Sequence, residues 1–319
     1  MSTFSWEKIK KPILALAPMA GYTDSAYRQV VKSLVPEVIC FSELTSTNAM
    51  KHDNEKTMQM LNFEKSESPL IMQLFGNKPE FFIEAGKRLE QLGIAGIDIN
   101  MGCPARKVIH SQQGSALLKD PDLAAEIVNK LSKAVKIPVS VKTRIGYNCY
   151  DEEELPKFLK SLETAGAKLI TLHGRTTKQS FLGKADWEPI YKIKKILNIP
   201  LIGNGDITTA EIAVERLKNL DGIMVGRATF GNPWLMAEIS AKLTKQKHNS
   251  PQSIKDRLPI IKEHFRLSLK TKGEKYGILE MRKHLGSYIK GIEGASAIRQ
   301  RIMQSEDSQE ILSILEEIA

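Results

Sequence analysis

Cysteine is scarce: the 319 residues include only Cys40, Cys103 and Cys149, and no two of them form a C-x-x-C pair. That spacing argues against a disulfide framework and a structural zinc site, and it fits a reducing compartment. No run of about eighteen apolar residues occurs, so no transmembrane helix is expected. The N-terminal MSTFSWEKIKKP has no signal-peptide-like apolar stretch and leads straight into a candidate strand, from which a cytoplasmic protein is expected. Solenoid repeats and low-complexity tracts are missing as well. The absence of a G-x-x-x-x-G-K-[ST] loop speaks against a nucleoside triphosphate site.

What is present is the composition of a globular protein, 42% hydrophobic and 26% charged, at a length that suits one barrel plus a small appendage. Short apolar runs recur at Ile13–Ala17, Val38–Ser42, Leu70–Leu74, Gly96–Asn100, Pro138–Lys142, Leu169–His173, Pro200–Gly203 and Gly222–Val225. Each has the length of a buried parallel strand, and each is followed by a segment able to form a helix. Lys78-Pro79 and Asp120-Pro121 put proline at a first helical position, and Thr208 is a candidate cap for a helix around Ala210–Leu217. Strand and helix alternating eight times predict a closed (β/α)₈ TIM barrel. The alternative, a doubly wound sheet, would normally carry G-x-G-x-x-G after its first strand, where this chain has A-P-M-A-G. Beyond the polar linker Lys245–Pro251 the pattern is helical only, with Ile254, Leu258, Ile261 and Phe265 on one face and Ile311, Leu315 and Ile318 on another. The expected organisation is a barrel domain over residues 1–244 and a small all-helical domain over 245–319.

Charge is uneven. The net charge is +9, yet residues 241–304 alone hold 15 Lys and Arg against 5 Asp and Glu. A solvated helix surface and a polyanion-binding face both accommodate such an excess.

Function in a barrel of this kind sits at the carboxyl ends of the strands. Polar groups stand at nearly every such end: Glu43, Gln73, Asn100, Lys142 with Arg144, and His173 with Arg175. After strands seven and eight come G-N-G-D (203–206) and G-R (226–227), small residues with backbone N–H groups where barrels commonly hold phosphate. Cys103 lies in N-M-G-C-P (100–104), a turn that exposes its thiol, whereas Cys40 lies within an apolar strand. Thiols as a class titrate near ~8.5 and are mostly protonated at neutral pH, which suits a proton donor.

The segments A-P-M-A-G-Y-T-D (17–24), Q-L-F-G (73–76), D-I-N-M-G-C-P (98–104), G-S-A-L-L (114–118), V-K-T-R-I-G (141–146), H-G-R-T (173–176), N-G-D-I (204–207) and V-G-R-A (225–228) occur in that order. Together they resemble the tRNA-dihydrouridine synthase family, most closely its bacterial B-type branch, over roughly residues 11–300. The resemblance implies a flavoprotein that reduces the uracil 5,6-double bond in tRNA, with FMN at the barrel mouth and NADPH (or NADH) as reductant. The FMN positions it implies are Pro18, Met19, Ala20, Gln73, Lys142, His173, Asn204, Gly205, Asp206, Gly226 and Arg227, and the catalytic cysteine it implies is Cys103. Asn100, Arg144 and Arg175 at the mouth are expected to meet the substrate; Arg282, Lys283, His284 and Arg299 in the basic tail are expected to meet tRNA. No protein partner is called for, and a monomer is expected. A flavin-dependent reductase of a free pyrimidine and a non-catalytic RNA-binding barrel are the other readings; the first leaves the basic tail without a role.

Overall fold

The computed structural model describes residues 4–318. Eight parallel strands close into a barrel in sequence order: β1 (Ile13–Leu16), β2 (Ile39–Ser46), β3 (Leu70–Phe75), β4 (Gly96–Met101), β5 (Val139–Arg144), β6 (Leu169–His173), β7 (Leu201–Asn204) and β8 (Gly222–Val225). Closure is made by β1 on β8, with Ile13 opposite Gly222 and Leu16 opposite Val225. Gly222 is required there, because a Cβ would lie 2.3 Å from the Ile13 carbonyl oxygen. The apolar runs read as strands because both of their faces are covered. One face packs under the surrounding helices, and Ile13, Ala15, Phe41, Ile71, Leu169, Ile202 and Met224 form an inner cluster on which Trp6 packs.

Two strands run two or more residues beyond the ends that the sequence suggests, both at the functional end. β2 runs on to Ser46 through a register shift between Phe41 and Leu44. There the Ser42 hydroxyl accepts from the Gln73 N–H and stands in for a ladder bond. β5 continues to Arg144, which pairs with His173 of β6, and its guanidinium is held by the carbonyls of Gly102 and Thr176. Pro79 and Pro121 open their helices as expected. The cap of the helix Ala210–Leu217 is Thr209, not Thr208: its side chain accepts from the Ile212 N–H.

The chain after Thr244 is helical. The segment Ile254–Tyr288 breaks at Gly273, whose φ of 73° and ψ of 170° are not helical, and its halves fold back on each other. Gly277 makes the close crossing possible, since a Cβ would sit 2.9 Å from the Leu269 Cα. With Ala295–Gln304 and Ser308–Glu317 these helices enclose their own apolar cluster, including Ile261, Phe265, Ile311 and Leu315. Trp234, from the last helix of the barrel, inserts into that cluster. The helices also meet the barrel through the Lys272–Asp24 ion pair. Among the described residues no helix is long and apolar enough to cross a membrane.

Candidate active site at the barrel mouth

A cavity of ≈ 690 Å³ opens at the carboxyl ends of the strands. One wall is the turn after β1. Its shape comes from Thr23, whose hydroxyl accepts from the Met19 N–H at 2.8 Å, and from Gly21, which adopts φ 76° and donates to Glu43. Pro18, Met19 and Ala20 of that turn line the cavity, with Tyr22 stacked on Phe230 at 3.7 Å beside them.

The adjoining wall is built after β7 and β8, β8 being hydrogen-bonded to β1. Gly205 has φ 130° and Asp206 φ 52°, so the chain turns sharply there. Asn204 braces the turn by donating to the Met224 carbonyl at 2.8 Å, and Trp187 donates to the Gly205 carbonyl at 3.1 Å. The N–H groups of Gly205, Asp206, Gly226 and Arg227 find no acceptor among the described residues. A Cβ at Gly226 would stand 3.4 Å from Ala17 and 3.5 Å from the Met19 sulfur, so glycine keeps this corner open. Unpaired N–H groups around a concave corner, with Arg227 half exposed above them, form an anion cradle suited to a phosphate. Asp206 can serve this cradle through its N–H alone, because its side chain is committed within the protein. Its carboxylate is engaged by Arg175 at 2.7 and 2.9 Å, by Arg227 at 3.4 Å and by the Ala185 N–H at 2.8 Å.

Further round the same cavity, on β5 and β6, stand Lys142 and His173. Burial, with Arg144 beside it, pulls the Lys142 ammonium down to about 8. Burial among Lys142, Arg144, Arg175 and Arg227 holds His173 well below its ordinary value, so its imidazole is neutral. A neutral imidazole and a lysine of depressed pKa can face the electron-rich edge of a ring system. Gln73 lies beneath, fully buried, donating to Asp98 at 2.7 Å and accepting from Asn100 at 2.8 Å. The cavity's size, its cationic floor and its N–H cradle fit a flavin mononucleotide.

Cys103 lines the same cavity and is half-buried. Its N–H donates to the Asn100 Oδ1 at 2.8 Å, while its carbonyl accepts from the Ser115 hydroxyl at 2.8 Å. Three expected substrate contacts are hydrogen-bonded within the protein. The Asn100 amide is committed, accepting from Gly102 and Cys103 and donating to Gln73, so it cannot read a base edge with a free donor–acceptor pair. Arg175, 2% exposed, is tied to Asp206 and to the carbonyls of Leu182 and Gly183, and it shapes the loop rather than meeting substrate. Arg144 gives its guanidinium to the carbonyls of Gly102, Thr176 and Ser180, and only its remaining edge faces the cavity.

Of the basic tail, His284 is withdrawn from any phosphate: it is 2% exposed, packed 4.6 Å from His264 and 5.5 Å from Tyr27. Burial, with His264 adding to it, pushes its imidazole down to about 2, so it carries no charge. Arg282 is half-buried and donates to the Ser305 carbonyl at 3.0 Å. Lys283 pairs with Glu280 at 2.7 Å and lies 5.6 Å over the Tyr22 ring, next to the cavity wall. Arg299 is partly exposed and has no acidic partner among the described residues. Lys275 and Lys290, not singled out from the sequence, are exposed and likewise unpaired among the described residues.

The dihydrouridine synthase family model matches residues 15–319. A probable tRNA-dihydrouridine synthase 1 of Synechocystis is 36% identical over 305 residues, 94% of this chain and 84% of that protein. A probable tRNA-dihydrouridine synthase of Rickettsia bellii is 38% identical over 90% of this chain and 88% of its own. The tRNA-dihydrouridine synthase B of Pasteurella multocida is 36% identical over 94% of this chain and 91% of its own. Among solved structures, histamine dehydrogenase from Rhizobium sp. 4-9 superposes with a TM-score of 0.56 at 14% identity, covering 80% of this chain and 48% of that one, a likeness of fold. The chain belongs to the dihydrouridine synthase family, and it is a flavin-dependent oxidoreductase.

Proposed function

We propose that this chain is a tRNA-dihydrouridine synthase: it binds FMN, takes electrons from NADPH, and saturates the 5,6-double bond of uridine in tRNA. The observation that carries this reading is that a single cavity of ≈ 690 Å³ is bordered both by the Cys103 thiol and by the N–H cradle of Gly205, Asp206, Gly226 and Arg227. A proton donor and a phosphate seat then serve one reaction centre. Residues 1–244 act as the catalytic unit and residues 245–319 as the tRNA-binding unit.

The reduced flavin, when bound, supplies a hydride for uracil C6. The cradle and Arg227 would hold its phosphate, Lys142 and His173 the polar edge of its ring system, and the Pro18–Ala20 turn would wall it in. Cys103 delivers the proton to uracil C5, where the conjugated 4-carbonyl leaves enolate character. Lys142 compensates negative charge as electrons arrive. Because the uridine must leave its stack to enter the mouth, at a cost of a few kcal/mol, affinity has to come from elsewhere on the tRNA. The +10 excess of residues 241–304 supports an anchor through phosphates.

The direct test is the tRNA of cells lacking this chain: one or more uridines should be recovered unreduced there, and reduced again when the chain is restored. A dihydrouridine map unchanged by the deletion contradicts the proposal.

Two further outcomes follow. The affinity of the apoprotein for FMN should weaken as the pH rises through about 8, where the lowered pKa of Lys142 costs the site a cation. The sign follows from charge: an anionic ligand favours the protonated lysine, whose protonated fraction falls above that pH. Fluorescence titration with FMN should show this slope in the wild type and none over the same window in Lys142→Met. For tRNA, log K should fall with log salt, and Lys283→Ala and Arg299→Ala should each flatten that slope by roughly one unit. Arg282→Ala should act differently, loosening the Ser305 turn more than it changes the slope. A salt slope left unaltered by both Lys283→Ala and Arg299→Ala would move the anchor onto the barrel.

A further inference from the structure

Asp98 sits in the middle of β4, fully buried, and no step of the proposed reaction uses it. Its carboxylate accepts from the Ser140 hydroxyl at 2.6 Å and from the Gln73 Nε2 at 2.7 Å. Gln73 thereby turns its carbonyl toward Asn100, whose Nδ2 donates to it at 2.8 Å. Asn100 in turn presents its Oδ1 to the N–H groups of Gly102 at 3.1 Å and Cys103 at 2.8 Å. The two ends of this chain of amides impose the same direction. An ionised carboxylate only accepts, and backbone N–H groups only donate, so each amide between them has one permitted orientation.

We propose that Asp98 is a positioning residue: through Gln73 and Asn100 it fixes the polarity of the hydrogen bonds that hold the Gly102–Cys103 backbone, and so the placement of the Cys103 thiol at the barrel mouth. The role of that thiol as a proton donor rests on the function proposed above; the relay itself does not. It acts through direction rather than charge, and that distinguishes it from a simple counter-ion to Lys142. An asparagine at 98 can still offer a carbonyl oxygen to Gln73 while turning its NH₂ toward Ser140, whose hydroxyl can accept. An aspartate at 100, by contrast, demands a donor from Gln73. It turns the Gln73 carbonyl onto the Asp98 carboxylate, two acceptors face to face in a buried site, and leaves the network frustrated. Combining the two changes satisfies every group again with the direction reversed: residue 100 accepts from Gln73 and from both backbone N–H groups, Gln73 accepts from residue 98, and residue 98 accepts from Ser140.

The experiment is a swap of near-isosteric side chains, read by thermal unfolding and by iodoacetamide labelling of Cys103 mapped by mass spectrometry. A Cys149→Ser background removes the exposed thiol, and Cys40 is buried. Asp98→Asn should keep Tm and labelling close to the parent. Asn100→Asp should lower Tm by roughly 2–6 °C, the range expected for one badly unsatisfied buried group in a chain of this size, and should speed labelling as the turn loosens. The double variant D98N/N100D should recover most of both. All three variants keep volume and shape, so a folding failure of Asn100→Asp that the double variant repairs also supports the relay. If Asp98→Asn is as damaging as Asn100→Asp, the carboxylate acts by its charge and the relay is wrong. If the double variant is no better than Asn100→Asp, the relay is wrong as well. Neither readout needs tRNA, so failure here leaves the proposed reaction standing, and failure of that reaction leaves the relay testable.

Discussion

Cys103→Ala should slow the tRNA-dependent reoxidation of the reduced flavin by ~10²-fold or more, the usual scale for losing a positioned general acid. The substitution leaves the phosphate cradle and the cationic floor intact, since those belong to β5, β6, β7 and β8. Flavin content and bleaching by NADPH should therefore match the wild type, and the loss should fall on the second half of the cycle alone. Stopped-flow absorbance of the two half-reactions separates them. Cys40→Ala is the control. That thiol is fully buried, and burial pushes it up to about 12, which leaves it without acid–base work near neutrality. Its replacement should change stability, on the order of 1 kcal/mol, and not the rate. Equal tRNA-dependent rates in Cys103→Ala and wild type would remove the thiol from the mechanism.

Arg227→Ala should weaken FMN binding by ~10- to 100-fold. Arg227 is half exposed and its guanidinium lies 5.0 Å over the Phe181 ring, but its only acidic contact among the described residues is Asp206 at 3.4 Å, a long one. It is therefore available to a phosphate. A hydrogen bond to a charged group contributes about 1.5–3 kcal/mol, which is that range of affinity. The comparison with Arg175 sharpens the test, because that guanidinium faces the same Asp206 yet is 2% exposed and satisfied by the loop. Arg175→Ala leaves the Leu182 and Gly183 carbonyls without their donor and should destabilise the fold before it changes flavin chemistry. Equilibrium titration of each apoprotein with FMN, beside its thermal melt, gives both quantities. An unchanged FMN affinity in Arg227→Ala would put the phosphate elsewhere.

The barrel is legible in the sequence for a physical reason: strands covered on both faces must be continuous apolar runs, and the helices between them announce their starts with Pro79 and Pro121. The glycine turn at Gly205 is equally visible, since its φ of 130° and a Cβ 2.6 Å from the Ala185 Cβ leave little room for another residue. What stays hidden is partnership across the chain. Arg144, Arg175 and His284 look like solvated charge in one dimension. Their burial follows from carbonyls on the loop at residues 176–183, from Asp206 thirty-one positions away from Arg175, and from the aromatic packing of Tyr27 and His264. The hairpin at Gly273 is missed because a lone glycine inside a helical pattern is also tolerated in straight helices. Asp98 left a signal that could have been read, a single carboxylate inside the apolar run GIDIN, where an unpaired charge would be too costly to keep.

The central claim, that electrons pass from flavin to a uridine of tRNA at this barrel mouth, is tested most directly by an anaerobic single turnover. Protein loaded with FMN is reduced by a stoichiometric amount of NADPH, then mixed with unmodified tRNA transcript, with uridine or uracil in a parallel sample. The account predicts that tRNA restores the oxidised flavin absorbance with one dihydrouridine formed per flavin, and that the free pyrimidines leave it reduced. Flavin that stays reduced with tRNA while a free pyrimidine reoxidises it would contradict the account and make the protein a reductase of small pyrimidines.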